Sequence, residues 1–239
     1  VQTPEALKNR FDLDVQPNHE VIAIYPEKKT VEVRHNGETF TDSYDELILS
    51  PGAKPFIPPI QNLETAQNVF SLRNIPDLDQ IMSTLNKNDV KNAVVVGAGF
   101  IGLEMAENLR NLGLNVTIVE KAPHVLPPLD EEMAAFVRIE LEKNGVRLIT
   151  SQSATAFKNN GKIIVLEDGT ELQTDLTLLS VGVQPETTLA KEAGIELGMR
   201  GGIKVDAQYL TNFPNIYAVG DAIIVTQQIT GEETMISLA

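Results

Sequence analysis

The chain contains no cysteine. Disulfides, cysteine-rich metal sites and thiol chemistry by these residues are thereby excluded. Histidine is scarce. His19, His35 and His124 are the three present, at no metal-ligating spacing, so each reads as a surface or turn residue and no metal is expected. No apolar run approaches membrane-span length, and no basic, apolar leader opens the chain. The expectation is a soluble, cytoplasmic protein with no membrane partner. Basic residues are outnumbered, 19 Lys and Arg against 33 Asp and Glu, a net charge of −14. That charge repels phosphate backbones and argues against a nucleic-acid partner. Internal repeats and low-complexity tracts are also absent.

What is present can fold on its own scale. At 239 residues and 42% hydrophobic content, the chain can bury a substantial core in one or two domains. Its centre is Lys91 to Glu120, which reads as strand, glycine turn, helix and strand. Ala93 to Val96 is an apolar run suited to a strand buried on both faces. Gly97, Gly99 and Gly102 follow as G-x-G-x-x-G. Ile101, Met105, Leu109 and Leu112 then fall on one helical stripe, with Gly102 and Ala106 as a small face for close strand contact. Val116 to Val119 is the second strand and Glu120 ends it.

This pattern predicts an adenine dinucleotide. The first glycine permits a tight turn, the second lets a pyrophosphate approach the backbone, and the third lets helix pack on strand. The helix N-terminus offers unpaired N–H groups and the positive end of its dipole. Glu120 stands 18 residues after Gly102, close to the spacing of the acid that accepts from the adenosine ribose. A carboxylate there gains about 1.5–3 kcal/mol from a ribose hydroxyl. Against a 2′-phosphate it meets repulsion of about 4 kcal/mol at close range and intermediate dielectric. NADH is therefore favoured. Lys121 could swing to a 2′-phosphate, so some use of NADPH stays open.

Before this centre, Thr3-Pro4-Glu5 caps a short helix to about Arg10. Glu20 to Ile24, Thr30 to His35, Glu38 to Thr41 and Glu46 to Leu49 read as an antiparallel meander, with Asn36-Gly37 as a hairpin turn. Tyr25 and Lys29 match Y-x-x-x-K, but Pro26 makes that a turn rather than the helix such a pair requires. Ser50 to Ala53 and Pro55, Pro58 and Pro59 read as a crossing between domains. Ser71 to Asn86 looks helical, with Leu78, Ile81, Met82 and Leu85 on one face. After Glu120, Asp130 caps a helix to about Asn144 with Met133, Phe136, Val137 and Leu141 inward. A strand at Val146 to Thr150, a hairpin over Ser153 to Leu166, Glu171 to Gln173, and strands at Asp175 to Val181, Ile203 to Val205 and Asn215 to Val219 complete the order. The fold class is α/β: a Rossmann-like parallel sheet with helices and an inserted antiparallel meander. Its expected limits are 91–206, with 1–60 and 207–239 belonging to a partial second domain and 61–90 as the crossing. Val1 is not a methionine and the chain stops in the apolar run Met235 to Ala239, which suggests a piece of a longer protein.

Four motifs occur in a telling order: Leu49-Ser50-Pro51-Gly52-Ala53, the fingerprint from Gly97, Ser180 to Glu186, and Tyr217 to Ala222. Together they resemble the pyridine nucleotide–disulfide oxidoreductases, FAD-dependent flavoproteins with two dinucleotide-binding domains. Arg73 to Asp77 and Gly99 to Met105 look most like the coenzyme A disulfide reductases, with NADH oxidases and peroxidases as near cousins. The resemblance implies that Pro51 and Gly52 turn over FAD and that Asp221 hydrogen-bonds the flavin's ribityl chain. It implies that Gly182 lets its loop pass the nicotinamide and that Phe100 is an aromatic gate over the flavin. A core phenylalanine is the alternative for Phe100. Glu104 would lie near the nicotinamide, or be a solvated helix glutamate, and Ile101 completes the cofactor-binding set.

The family's first glycine fingerprint, its redox cysteine and its dimerisation domain are missing from these residues, so none of them is expected to be catalytic. The complete protein would be a homodimer passing hydride from NADH to FAD and on to a cysteine. Its substrate would be a small-molecule disulfide such as coenzyme A disulfide, or a peroxide in the oxidase and peroxidase reading. A nucleotide-binding module without enzymatic role is the alternative of another class. This chain alone is expected to bind NADH weakly, to lack turnover, and to expose strand edges that invite non-native dimers.

Overall fold

The computed structural model describes residues 2–86 and 89–235. Val1 and the terminal run 236–239 lie outside the described residues. In chain order the first elements are α1 (Pro4–Phe11), β1 (Glu20–Tyr25), β2 (Thr30–His35), β3 (Glu38–Ser43), β4 (Leu47–Leu49), β5 (Ala53–Pro55) and β6 (Val69–Phe70). Next come α2 (Ile75–Leu85), β7 (Asn92–Val96), α3 (Phe100–Asn111), β8 (Asn115–Val119), α4 (Glu131–Lys143) and β9 (Arg147–Ile149). An insert follows, β10 (Ala154–Lys158), β11 (Ile163–Leu166) and β12 (Glu171–Gln173), then β13 (Leu176–Leu179), β14 (Val183–Pro185) and α5 (Thr188–Glu192). The last strands are β15 (Ile203–Lys204), β16 (Ile216–Ala218), β17 (Ile223–Thr226) and β18 (Glu233–Thr234).

These elements form two compact units, Lys54–Val183 and the remainder on either side of it. The limits differ from those expected at 60/61, 90/91 and 206/207, and pairing explains why. Val69 and Phe70 of β6 lie in register with Thr177 and Leu178 of β13, and Ile81 of α2 is in the same core, so the crossing belongs to the central unit. Ile203 and Lys204 of β15 pair with Ile223 and Ile224 of β17, which draws 184–206 to the other unit.

The central unit is built on a five-stranded parallel sheet of order β6-β13-β7-β8-β9. On one face Ala93 and Val95 of β7, Val116 and Ile118 of β8, and Leu176 and Leu178 of β13 meet Ile81, Ala106, Leu109 and Ala134 from the helices. On the other, Val94, Val96, Val119 and Leu179 meet Phe157, Ile164, Leu166 and Leu172 of the antiparallel insert. Strand β7 is buried on both sides, which is why it reads as an unbroken apolar run. The insert covers the face that a second helix layer would cover in a doubly wound sheet. The α/β Rossmann-like class expected from the sequence is the one observed.

Helix ends follow the sequence closely. The Thr3 hydroxyl accepts from Ala6 N–H (3.1 Å) at the start of α1. Asn74 and Asp77 form a reciprocal capping box at α2, with Asp77 N–H donating to the Asn74 side chain (3.0 Å) and Asn74 N–H to the Asp77 carboxylate (3.1 Å). Inward faces are narrower than expected. On α3, Gly102, Ala106 and Leu109 are buried, whereas Ile101 and Leu112 face outward. On α4, Ala134 is buried with Val137 and Leu141 beside it, while Met133 and Phe136 are exposed. On α2, Ile81 alone is buried; Leu78 and Met82 are two-fifths exposed. Full burial falls on three residues of α3 but on one each of α2 and α4, with their other inward apolar residues only partly covered, so an apolar count overstates the contact.

In the other unit, β1, β2 and β3 form the expected antiparallel meander. The fourth expected strand does not join it. Leu47, Ile48 and Leu49 of β4 instead pair in parallel with Ile216, Tyr217 and Ala218 of β16. A three-residue apolar run has no period of its own to distinguish these partners. Here the core is Ile203, Ile216, Ala218, Ala222 and Ile223 with Ala190 and Ile195, flanked by Leu47, Leu49 and Tyr44.

Candidate dinucleotide site

Parallel pairing puts three loops at one edge of the central sheet. Val96 ends β7 opposite Leu179 of β13 and Val119 of β8. The turn Gly97–Gly102, the residue Glu120 and the loop Ser180–Gly182 therefore leave side by side. Gly97 N–H donates to Val119 O (2.8 Å) and Ser180 N–H to Val96 O (2.7 Å). From β7 the chain winds outward through β8 to β9, then returns to β13 on the opposite side of β7. The loops after β7 and β13 thus flank a topological switch point, where open α/β sheets bind ligands.

Two of the fingerprint glycines are required by contact. A Cβ on Gly97, whose φ is +106°, would collide with the carbonyl of Ser180. A Cβ on Gly102 would collide with the carbonyl of Gly97. A Cβ on Gly99, by contrast, would meet nothing within 4 Å. The second glycine thus faces open space, as approach of a pyrophosphate requires.

Glu120 is 8% exposed and is held by two backbone donors. Ala98 N–H donates to its Oε2 (2.6 Å) and Ala122 N–H to its Oε1 (2.7 Å). A trans peptide sets N–H and C=O in opposite directions. Pinning Ala98 N–H to Glu120 therefore sends the Gly97 carbonyl the other way, towards Gly102. The acid and the third glycine are parts of one arrangement. A carboxylate offers about four acceptor sites, so Glu120 keeps capacity for a ribose hydroxyl while it holds the turn.

The helix N-terminus is uncapped by any side chain, and its first intrahelical contact is Leu103 N–H to Gly99 O (3.0 Å). Among the described residues the N–H of Gly99 has no acceptor. That donor, the open side of Gly99 and the positive helix end fit a pyrophosphate. Phe100 is 67% exposed and lies outside the core formed by the described residues. Ile101 is 44% exposed beside it. Glu104 and Lys121 are exposed, and among the described residues Lys121 makes no ion pair. Gly182 has φ +104° and an open side.

Pro51, Gly52 and Asp221 lie in the other unit and come together there by the same logic. They follow β4 and β16, which are parallel neighbours, and Val219 N–H donates to Leu49 O (2.9 Å). Gly52 has φ +70°, Gly220 has φ +79° with nothing near its open side, and among the described residues the Asp221 carboxylate has no hydrogen-bond partner. An unpaired carboxylate beside an open turn fits a polyhydroxyl chain such as a ribityl group. No group of three or more metal-ligating side chains occurs among the described residues, and no described helix is long and apolar enough to cross a membrane.

Sequence reasoning missed Leu126 and, within motifs it did single out, the contacts of Ala98 with Glu120 and of Ser180 with Gly97. Ala98 and Ser180 act through backbone groups that no side chain announces. Leu126 N–H donates to Ala98 O (2.9 Å) from the proline-punctuated loop, a contact for which the sequence carries no signal.

Known proteins share this chain's sequence and fold. The family described as pyridine nucleotide-disulphide oxidoreductase matches residues 4–236. The chain is 39% identical over 238 residues to an NADH oxidase of Methanocaldococcus jannaschii, covering 98% of this chain and 53% of that protein. It is 33% identical over 240 residues to a coenzyme A disulfide reductase of Staphylococcus haemolyticus, covering 99% and 53%. A solved structure of reduced Bacillus anthracis CoADR-RHD superposes with a TM-score of 0.97 at 46% identity, over 100% of this chain and 43% of that one. The chain spans about half the length of the curated relatives that it matches.

Proposed function

Because the chain belongs to the pyridine nucleotide-disulphide oxidoreductase family, we propose that it is the NADH-binding portion of an FAD-dependent disulfide reductase. The observation that carries this reading is the turn Gly97–Gly102, held at Ala98 by Glu120 (2.6 Å) with the open side of Gly99 outward. The amide of Gly99 and the start of α3 bind the pyrophosphate, and Glu120 accepts from the adenosine ribose. Phe100 and Gly182 line the nicotinamide end, with Glu104 near it. Glu120 favours NADH, since a 2′-phosphate would face its charge, and Lys121 is the cation that would permit some NADPH. Pro51, Gly52 and Asp221 hold the flavin side. When bound, NADH and FAD would supply hydride-transfer chemistry, and in the complete protein the electrons would serve a cysteine outside these residues that reduces a disulfide such as coenzyme A disulfide. The residues present bind and orient the nucleotide.

A second reading, an NADH oxidase or peroxidase, is favoured by the 39% identity to an NADH oxidase. Residues around the cysteine in the complete protein, and sulfenic acid trapped on it under peroxide, would separate the two. A non-catalytic nucleotide-binding module requires a native protein of this size, which native mass measurement tests. Titration of NADH into the protein and into Glu120→Ala tests the shared premise. Loss of affinity is expected in the variant. Unchanged affinity, or NADH bound away from Gly97–Gly102, overturns it. Purified alone, this chain is expected to be colourless and without turnover; a flavin absorbance band would contradict that.

A further inference from the structure

Leu126 has a backbone that neither its type nor its neighbour favours. Its φ is +47°, in the left-handed region that bulky residues rarely enter. It also precedes Pro127, which drives the preceding residue towards extended conformations. The outlier is buried, sits in the loop after Glu120, and turns its N–H onto the carbonyl of Ala98 (2.9 Å), while Leu129 N–H closes the loop on Leu126 O (2.8 Å). Backbone outliers of this kind are kept where the surrounding structure has a use for them.

The use follows from peptide geometry. Ala98 C=O and Gly99 N–H belong to one peptide group, and in a trans peptide they point in opposite directions. With the carbonyl fixed on Leu126, the Gly99 N–H must point away from the loop, to the side where a Cβ on Gly99 would meet nothing. Among the described residues that N–H has no acceptor. The neighbouring peptide is fixed by Glu120 at Ala98 N–H (2.6 Å). Ala98 is therefore held at both ends, and each hold orients one peptide group of the turn.

We propose that Leu126 is a positioning residue for the nucleotide pyrophosphate: its strained backbone amide aims the Gly99 N–H before ligand arrives. The inference rests on the nucleotide reading of the turn, and it assigns to the loop after Glu120 a role in affinity besides any contact with the ribose.

Two substitutions separate backbone from packing. Leu126→Ile keeps apolar volume but resists positive φ, because a β-branched residue is a severe outlier there. Leu126→Gly removes the side chain but adopts that φ freely. In the full-length protein, NAD+ affinity measured by calorimetry is expected to fall about tenfold or more in Leu126→Ile, the effect of one lost charge-assisted hydrogen bond, and to be kept in Leu126→Gly. The reverse order means that Leu126 acts by packing, and overturns the proposal. Amide exchange of the unsubstituted protein provides a measurement independent of variant folding. Expected are a protected Leu126 amide without ligand and a Gly99 amide that gains protection only with NAD+. A Gly99 amide already protected, or a freely exchanging Leu126 amide, also overturns it. If NAD+ leaves the amides of 97–102 unchanged, the nucleotide reading itself fails, and a freely exchanging Leu126 amide would show the positioning contact absent as a separate result.

Discussion

Gly97 and Ser180 approach so closely that the carbonyl of one occupies the space a side chain on the other would need. Strands β7 and β13 are in direct parallel register up to Val96 and Leu179, so their following residues cannot diverge at once. Gly97→Ala meets both this collision and a φ of +106°. It is expected to destabilise the protein by about 2–4 kcal/mol, the range for backbone strain combined with overpacking. Equilibrium denaturation checks this; an unchanged midpoint would mean that the strands separate earlier than the register implies.

Glu120 has a structural role separable from the contact with ribose proposed for it. Removing the carboxylate in Glu120→Ala leaves Ala98 N–H, on a fully buried residue, without its acceptor. An unsatisfied buried donor costs about 1–3 kcal/mol. Denaturation without nucleotide is expected to reveal that loss. Glu120→Gln retains an acceptor oxygen and is expected to lose less stability, while its weaker hydrogen bond to ribose still lowers NADH affinity.

Phe100 stands clear of the core at 67% exposure. Phe100→Ala is expected to change unfolding free energy by no more than about 0.5 kcal/mol, as at other exposed positions. Any effect on the full-length protein should appear in the access of nicotinamide to flavin, read as the rate of flavin reduction by NADH. A large stability loss would return Phe100 to a packing role.

Asp168 links stability to pH in the insert. Hydrogen bonds from Thr170, led by its backbone N–H at 2.8 Å, hold the Asp168 carboxyl below the ordinary aspartate range. A depressed folded-state pKa stabilises above the unfolded-state value and loses that contribution as pH falls through the folded-state value. Carboxyl titration followed by NMR should find Asp168 more acidic than a free aspartate. Asp168→Asn should remove its share of the acid dependence of stability. A titration at the ordinary value would count against the turn geometry.

Much of this was legible in residue order. Ala93 to Val96, the three glycines and Glu120 have spacings set by a tight turn, a helix start and a strand end, so local chemistry specified them. The capping residues Thr3, Asn74 and Asp77 did likewise, because a cap is satisfied within one helical turn. Met133, Phe136 and Ile101 were not legible as exposed: which part of an apolar stripe is covered depends on the partner layer, and on α4 Ala134 alone is fully buried. The parallel pairing of Leu47–Leu49 with Ile216–Ala218 was hidden for a related reason. Strand partners far apart in sequence leave no mark on a three-residue run.

By itself the sequence determined that the chain makes an α/β Rossmann-like fold with an acid 18 residues beyond the glycine turn, since those features arise from neighbours in the chain. Only the tertiary structure decided that Glu120 and Leu126 hold the two ends of Ala98, and that Ser180 requires Gly97. Those contacts are made by backbone amides and carbonyls, which every residue carries alike, and their selection depends on where the folded strands end.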